Sequence, residues 1–171
     1  MPEIFYNIMV PVDFTARTKW AVAKAIELAN NLHCNIHLVH VVSRQMLPFT
    51  SFDASHALAY DITADLANAR YKLEQLRDDY RAHLCEGSKL EISLLHGNKS
   101  AELTRYIKQF RMDLVVIGLP RFNLIHRVVS AFSLSSLGKK TNVPTLAVRS
   151  SGLVSHFKKI VLPIHNNIPV Q

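Results

Sequence analysis

Glycine and proline are scarce, with five and seven copies in 171 residues. Apolar residues make up 49% of the chain, so it is not low-complexity or disordered, and it is long enough for one well-buried domain and a short remainder. No apolar run approaches the roughly 20 residues that span a bilayer. The N-terminus lacks the basic segment and apolar block of a secretory leader, so a cytoplasmic location without a membrane partner is expected. Cysteine occurs twice, at Cys34 and Cys85, without CxxC spacing, so two reduced, partly buried thiols are expected. Acidic residues are nearly missing from one part of the chain. Residues 101–171 hold ten Lys and Arg against only Glu102 and Asp113, a net of 10 − 2 = +8; residues 1–100 hold ten against eleven, a net of 10 − 11 = −1. A one-sided positive field points to a small anion or an acidic partner surface, as opposed to a solvated basic face that only aids solubility.

Catalytic and metal-binding patterns are also missing. There is no H-x-E or G-x-S-x-G, and no Ser-His-Asp or Cys-His pairing has supporting context. Asp78 and Asp79 are adjacent on a helical stretch and read as solvated. The nine histidines do not form a ligand set: His37 and His40 are three apart on a strand and point to opposite faces, and His96 and His126 are far apart in sequence. No catalytic residue and no metal ligand is expected.

What is present is a regular alternation of strand and helix patterns. Strands are expected at 6–12, ended by Asp13, and at 35–42, 90–96, 113–118 and 143–149. After the first, Thr15 can cap a helix whose apolar face is built by Trp20, Ala21, Ala25, Leu28, Ala29 and Leu32. Leu58, Ile62, Leu66, Ala69, Leu73, Leu76, Tyr80 and Leu84 predict a second helix of about eight turns, with Gly87 ending it. Shorter helices are predicted over 101–110 and 128–140. The order βαβαβαβαβ implies an α/β, Rossmann-like open parallel sheet with helices on both faces, and Val10, Val12, Ile36, Leu38, Val115 and Val116 should be central and buried. Ligands of such sheets sit beyond the carboxyl ends of the strands, where Asp13, Val41, Gly97 and Gly118 fall.

The stretches IMVPVDFTARTKWAVAKAIELANNL, IHLVHVV, DLVVIGLP and NVPTLAVR resemble, in order and spacing, the universal stress protein family over nearly all of residues 4–149. The resemblance implies a strand order 3-2-1-4-5 and edge-to-edge homodimers through the last strand, 143–149. It also implies an ATP pocket in which Asp13 and the backbone at Val41 hold the adenosine half. The family's phosphate motif is Gly, two residues, Gly, nine residues, Gly, then Ser or Thr. Here only Gly118 remains; Arg121, Ala131 and Phe132 stand at the other three positions, with hydroxyls nearby at Ser130 and Ser133. Phe132 would exclude a triphosphate and offer no donor. Arg121 and Arg127 lie in the altered loop and could take a smaller anion by paired hydrogen bonds. ATP binding is therefore expected to be weak or lost, with AMP and other adenine nucleotides the alternative. The expected function is a non-enzymatic stress-response domain acting through dimerisation and partner contacts. A nucleotide-binding regulator with slow ATP hydrolysis is the second reading. Nucleic-acid binding through the basic C-terminal part comes last, for want of any recognised motif.

One repeat is internal. Phe5, Ile8, Pro11 and Asp13 recur as Phe157, Ile160, Pro163 and His165 at a constant offset, 157 − 5 = 152. The expected organisation is one domain over 1–150, a linker over 151–156, and the first strand of a second, truncated repeat over 157–171. That tandem arrangement would also allow a pseudo-dimer with a second domain.

Overall fold

The computed structural model describes residues 6–43, 62–119, 137 and 140–149. Five strands, β1 (Asn7–Pro11), β2 (Asn35–Val42), β3 (Leu90–His96), β4 (Leu114–Gly118) and β5 (Thr145–Val148), form one sheet in the order β3-β2-β1-β4-β5. Every pairing is parallel. The helices are α1 (Ala16–Leu32), α2 (Ile62–Arg81) and α3 (Lys99–Gln109). Most of the helix expected over 128–140, the linker and the repeat at 157–171 lie outside the described residues, as do Arg121, Arg127, Ser130, Ala131, Phe132 and Ser133.

Strand periodicity divides the core between two faces. Ile8, Val10, Val12, Ile36, Leu38 and Val116 point to the side covered by α1 and α2, where they meet Ala21, Val22, Ala25, Leu73 and Leu76. Met9, Val39, Val41, Val115 and Ile117 alternate to the other side and meet Leu103, Tyr106 and Ile107 of α3. All six residues expected at the centre are no more than 2% exposed. Each such aliphatic side chain contributes about 1.5–3 kcal/mol by leaving water. Near-continuous apolar strands are the mark of a parallel sheet covered on both faces. Among the described residues, no helix is long and apolar enough to cross a membrane.

Two local expectations need correction. The apolar spacing carries α2 on to Leu84, but the helix ends at Arg81. The next residues tighten into i+3 turns, with His83 N–H donating to Tyr80 O and Leu84 N–H to Arg81 O. Asn30 of α1 then draws the chain across: its side chain donates to His83 O and accepts from Cys85 N–H. Thr15 does occupy the N-cap position of α1, but its side chain makes no cap hydrogen bond. Its hydroxyl turns back to Asp13 instead.

Candidate functional site

The carboxyl ends of four strands lie side by side. The β1–β2 register pairs Pro11 with Val39, so Asp13 and Val41 follow on neighbouring strands. Val42 pairs with His96, so Gly97 follows on the next strand out. β4 flanks β1 on the other side and ends at Gly118. The turn of direction in this sheet falls between β1 and β4, because α1 and α2 carry the chain one way from β1 and α3 carries it back across. Crevices of that kind are where open α/β sheets bind ligands. The structure thus gathers Asp13, Val41, Gly97 and Gly118 at one end of the sheet.

Asp13 is bound into its own turn. Its Oδ1 accepts from Thr15 N–H at 3.0 Å, from the Thr15 hydroxyl, and from the Thr18 hydroxyl at 2.8 Å. Its Oδ2 accepts from Arg17 Nη2 at 2.8 Å. Burial pushes the carboxyl up, but the Thr15 and Thr18 hydrogen bonds and the Arg17 charge together outweigh it, and the net shift is downward. The network also holds Phe14 at φ 58°, a left-handed conformation that costs a bulky residue about 1–3 kcal/mol.

A cleft of about 330 Å³ opens between this turn, the end of β2 and α2. Phe14, His40 and Val41 line one side, and Asp65, Asn68 and Lys72 of α2 the other. Asp13, Gly97 and Gly118 lie at the strand ends but are not part of the cleft's lining. His40 Nδ1 lies 2.8 Å from the Val12 carbonyl. A carbonyl can only accept, so Nδ1 carries the proton and Nε2 of the neutral ring is an acceptor. Burial, opposed by the Val12 bond and reinforced by Lys99 and Lys72, holds the His40 pKa down and keeps the ring neutral. The Phe14 ring packs on it at 4.5 Å between centroids, and Lys72 Nζ stands 5.7 Å from the Phe14 centroid.

The two glycines serve different ends. Gly97 has φ 140°, donates its N–H to Val42 O at 3.0 Å, and leads into α3, where Asn98 Oδ1 accepts from Ala101 N–H. Gly118 is a packing glycine: a Cβ there would lie 2.1 Å from Arg17 O and 2.5 Å from its carbonyl carbon. The first turn of α1 therefore rests directly on the end of β4.

His37 and His40 do face opposite sides of the sheet. His37 is buried under α3 with Nδ1 3.0 Å from the Tyr106 hydroxyl, which is 2.8 Å from Ser93 Oγ. Among the described residues, no group of three His, Cys, Asp or Glu side chains is placed to hold a metal ion.

A profile of the universal stress protein family matches residues 5–149. The chain belongs to the universal stress protein family. Solved structures agree on the fold. A universal stress protein from Lactobacillus plantarum superposes with a TM-score of 0.66 at 22% identity, over 85% of this chain and 98% of its own. A family member from Burkholderia pseudomallei gives 0.64 at 17% identity, over 88% and 100%. A universal stress protein from Archaeoglobus fulgidus, in complex with dAMP, gives 0.58 at 16% identity, over 85% and 99%. No curated protein shows significant similarity to the chain.

The strand pattern puts Asp13 and Val41 at neighbouring strand ends, where they are found; of the cleft's lining it points to Val41 but not to Phe14, His40, Asn68 or Lys72. In the sequence His40 stands out only as a histidine that cannot share a metal ion with His37. A signal for Arg17 was available: an Asp and an Arg four residues apart at a helix start lie on one face.

Proposed function

We propose that this universal stress protein domain is a non-enzymatic, cytoplasmic stress-response module acting through dimerisation and partner contacts, and that its cleft takes an adenine mononucleotide in preference to ATP. The observation that carries this reading is the cleft beside Val41. At about 330 Å³ it lies at the low end of the range for small-molecule sites, enough for a base and a sugar. Phe14 offers an aromatic face, and His40 Nε2 an acceptor suited to an exocyclic amine such as that of adenine. The dAMP complex of the Archaeoglobus fulgidus relative supports a mononucleotide of this class. The loss of three of four phosphate-motif positions, at Arg121, Ala131 and Phe132, argues against a triphosphate held in the family manner. For assembly, β5 is an edge of the sheet, with a short apolar sequence and Thr145 and Ala147 exposed. Such an edge favours pairing with a second copy.

Thermal unfolding with millimolar AMP, ADP and Mg-ATP tests the reading, since a ligand of the folded state raises the melting temperature. AMP should raise it, and Mg-ATP should do no better. Micromolar binding of Mg-ATP would overturn the preference. No shift with any of the three would overturn the nucleotide part, and steady phosphate release from ATP the non-enzymatic part.

A further inference from the structure

The chain's two cysteines are 85 − 34 = 51 residues apart in sequence, and both thiols are free. Folding brings them together at the amino end of the strands, the opposite end from the cleft. His33 is the C-cap of α1, in the left-handed region at φ 53°, and Cys34 follows it into the core. Cys34 N–H donates to Ala29 O, and the side chain of the next residue, Asn30, accepts from Cys85 N–H at 2.8 Å. On the other flank, Lys89 N–H donates to Asn35 Oδ1 at 3.1 Å and Ile36 N–H to Lys89 O at 2.8 Å. The β2–β3 register, carried back from Ile36 and Leu90, sets Ser88 level with Cys34. Cys85 Sγ touches both neighbours of Cys34: His33 Nδ1 at 3.9 Å and Ser88 Oγ at 3.5 Å. Leu84, just before it, packs on the cluster that holds Cys34.

The two thiols are unequal. Cys34 is 1% exposed. Burial, opposed by a backbone hydrogen bond and reinforced by the charges of Asp113 and Cys85, pushes its thiol up, so it stays protonated and unreactive toward solvent. That Cys85 contributes puts the two sulfurs within electrostatic reach of each other. Cys85 is only half-buried, and an exposed imidazole stands ready to take its proton. A thiolate is the form that attacks an oxidant. The geometry also leaves room to close the pair. Residues 82–89 belong to neither α2 nor β3, and Gly87 among them has nothing within 4 Å of its missing Cβ. That loop can carry Cys85 the small distance needed to bring the Cα atoms to the roughly 4.4–6.8 Å of a disulfide.

We propose that Cys85, assisted by His33, is a peroxide-oxidisable thiol that Cys34 resolves into an intramolecular disulfide. Cys85 gives its proton to His33 and its sulfur attacks a peroxide oxygen. An S–O bond forms, the O–O bond breaks, and the departing hydroxide takes the proton from His33 and leaves as water. The Cys34 sulfur then attacks the Cys85 sulfur. An S–S bond forms, the S–O bond breaks, and hydroxide leaves with the Cys34 proton as a second water. The two thiols together lose two electrons and hydrogen peroxide gains them. Reversible oxidation of this kind, restored by a thiol reductant, is the usual use of a disulfide in a reducing compartment.

Treating the full chain with a few equivalents of hydrogen peroxide, then labelling with N-ethylmaleimide under denaturing conditions and measuring intact mass, tests it. The wild type should lose two hydrogens and take no label, and peptide mapping should join Cys34 to Cys85. Dithiothreitol should restore both labels. Cys34→Ser should hold Cys85 as a sulfenic acid that dimedone traps. His33→Ala should slow oxidation of the pair at least about tenfold, the low side of what a positioned proton acceptor supplies. Two labelled thiols after peroxide, or a disulfide formed only between chains, overturns the proposal. A folded Cys34→Ser without a dimedone adduct overturns the order of attack, and an unchanged rate in His33→Ala overturns the part given to His33. The wild-type mass decides the disulfide even where Cys34→Ser, a change in the core, fails to fold.

Discussion

Gly118→Ala separates two accounts of the same glycine. If Gly118 served only to let a phosphate approach, alanine would weaken ligand binding and leave the unliganded protein as stable as before. The packing says otherwise. The added Cβ would lie 2.1 Å from Arg17 O, 2.5 Å from Arg17 C and 2.8 Å from Arg17 Cβ. Carbon–oxygen contacts in proteins run at about 3.3–3.6 Å, so the first turn of α1 must retreat by more than about 1 Å. The obstacles are backbone atoms and a Cβ, which cannot turn aside as a flexible side chain would. Overpacking of this kind costs about 1–3 kcal/mol and occasionally more. The retreat also pulls on Thr15, Arg17 and Thr18, whose bonds to Asp13 contribute about 0.5–1.5 kcal/mol each. A loss of about 3–5 kcal/mol is expected, a large share of the 5–15 kcal/mol typical of a whole domain. Equilibrium urea unfolding of the unliganded protein measures it, with Gly87→Ala as the comparison. Gly87 has nothing within 4 Å of its missing Cβ, so only its φ of 89° is strained, and about 1–2 kcal/mol should be lost. Gly118→Ala within about 1 kcal/mol of wild type, with an unchanged m-value, would refute the packing account.

Tyr106→Phe removes the hydroxyl that His37 Nδ1 and Ser93 Oγ share while keeping the ring, which packs on Phe110 at 4.4 Å; urea unfolding should show a loss of about 1–3 kcal/mol, and a change below about 0.5 kcal/mol would count against a satisfied buried chain. Acid should destabilise the domain in two stages. His37 and His40 have folded pKa values lowered by burial, so their stabilisation is complete above the unfolded value near 6.5 and is lost as pH falls below it. Asp13, lowered by its hydrogen bonds and Arg17 against the effect of burial, adds a second loss below about 3.8; an unfolding free energy that stays level from pH 7.5 to 5 would remove the histidine stage. Light scattering should report a dimer through the β5 edge, and a monomer at micromolar concentration would exclude it.

The sheet was legible because its information is local and repeated. Ile8, Val10 and Val12 alternate with Met9 and Pro11, and the same period in β2 and β4 sends each set to its own helix layer. The end of α2 was not legible, since Tyr80 and Leu84 keep the apolar spacing while the turn is made by Asn30, some 50 residues earlier. The site divides in the same way. Asp13 could be placed at the end of β1 from the strand pattern, and Arg17 from its spacing of four. The chemistry of His40 follows from the Val12 carbonyl that the β1–β2 register sets beside it. Nor does any local pattern bring Lys72 to Phe14 across the gap between α1 and α2.

Charge is where summing along the chain misleads most. The excess positive charge belongs to residues 101–171, which points to an anion or an acidic partner surface for that part of the chain. Among the described residues, Lys72 lines the cleft, and Lys72 and Lys99 both act on His40 beside it; both come from the part of the chain whose net charge is −1. Asp65 lines the same cleft, Asp13 acts on His40 with the opposite sign, and His40 adds nothing while it is neutral. At physiological ionic strength charges beyond about 8 Å are largely screened, so a group in the cleft responds to the charges near it and not to the total for either half. Cations from a segment of the opposite net sign thus reach the cleft, because folding sorts charges by strand end and helix turn and takes no account of their order in the sequence.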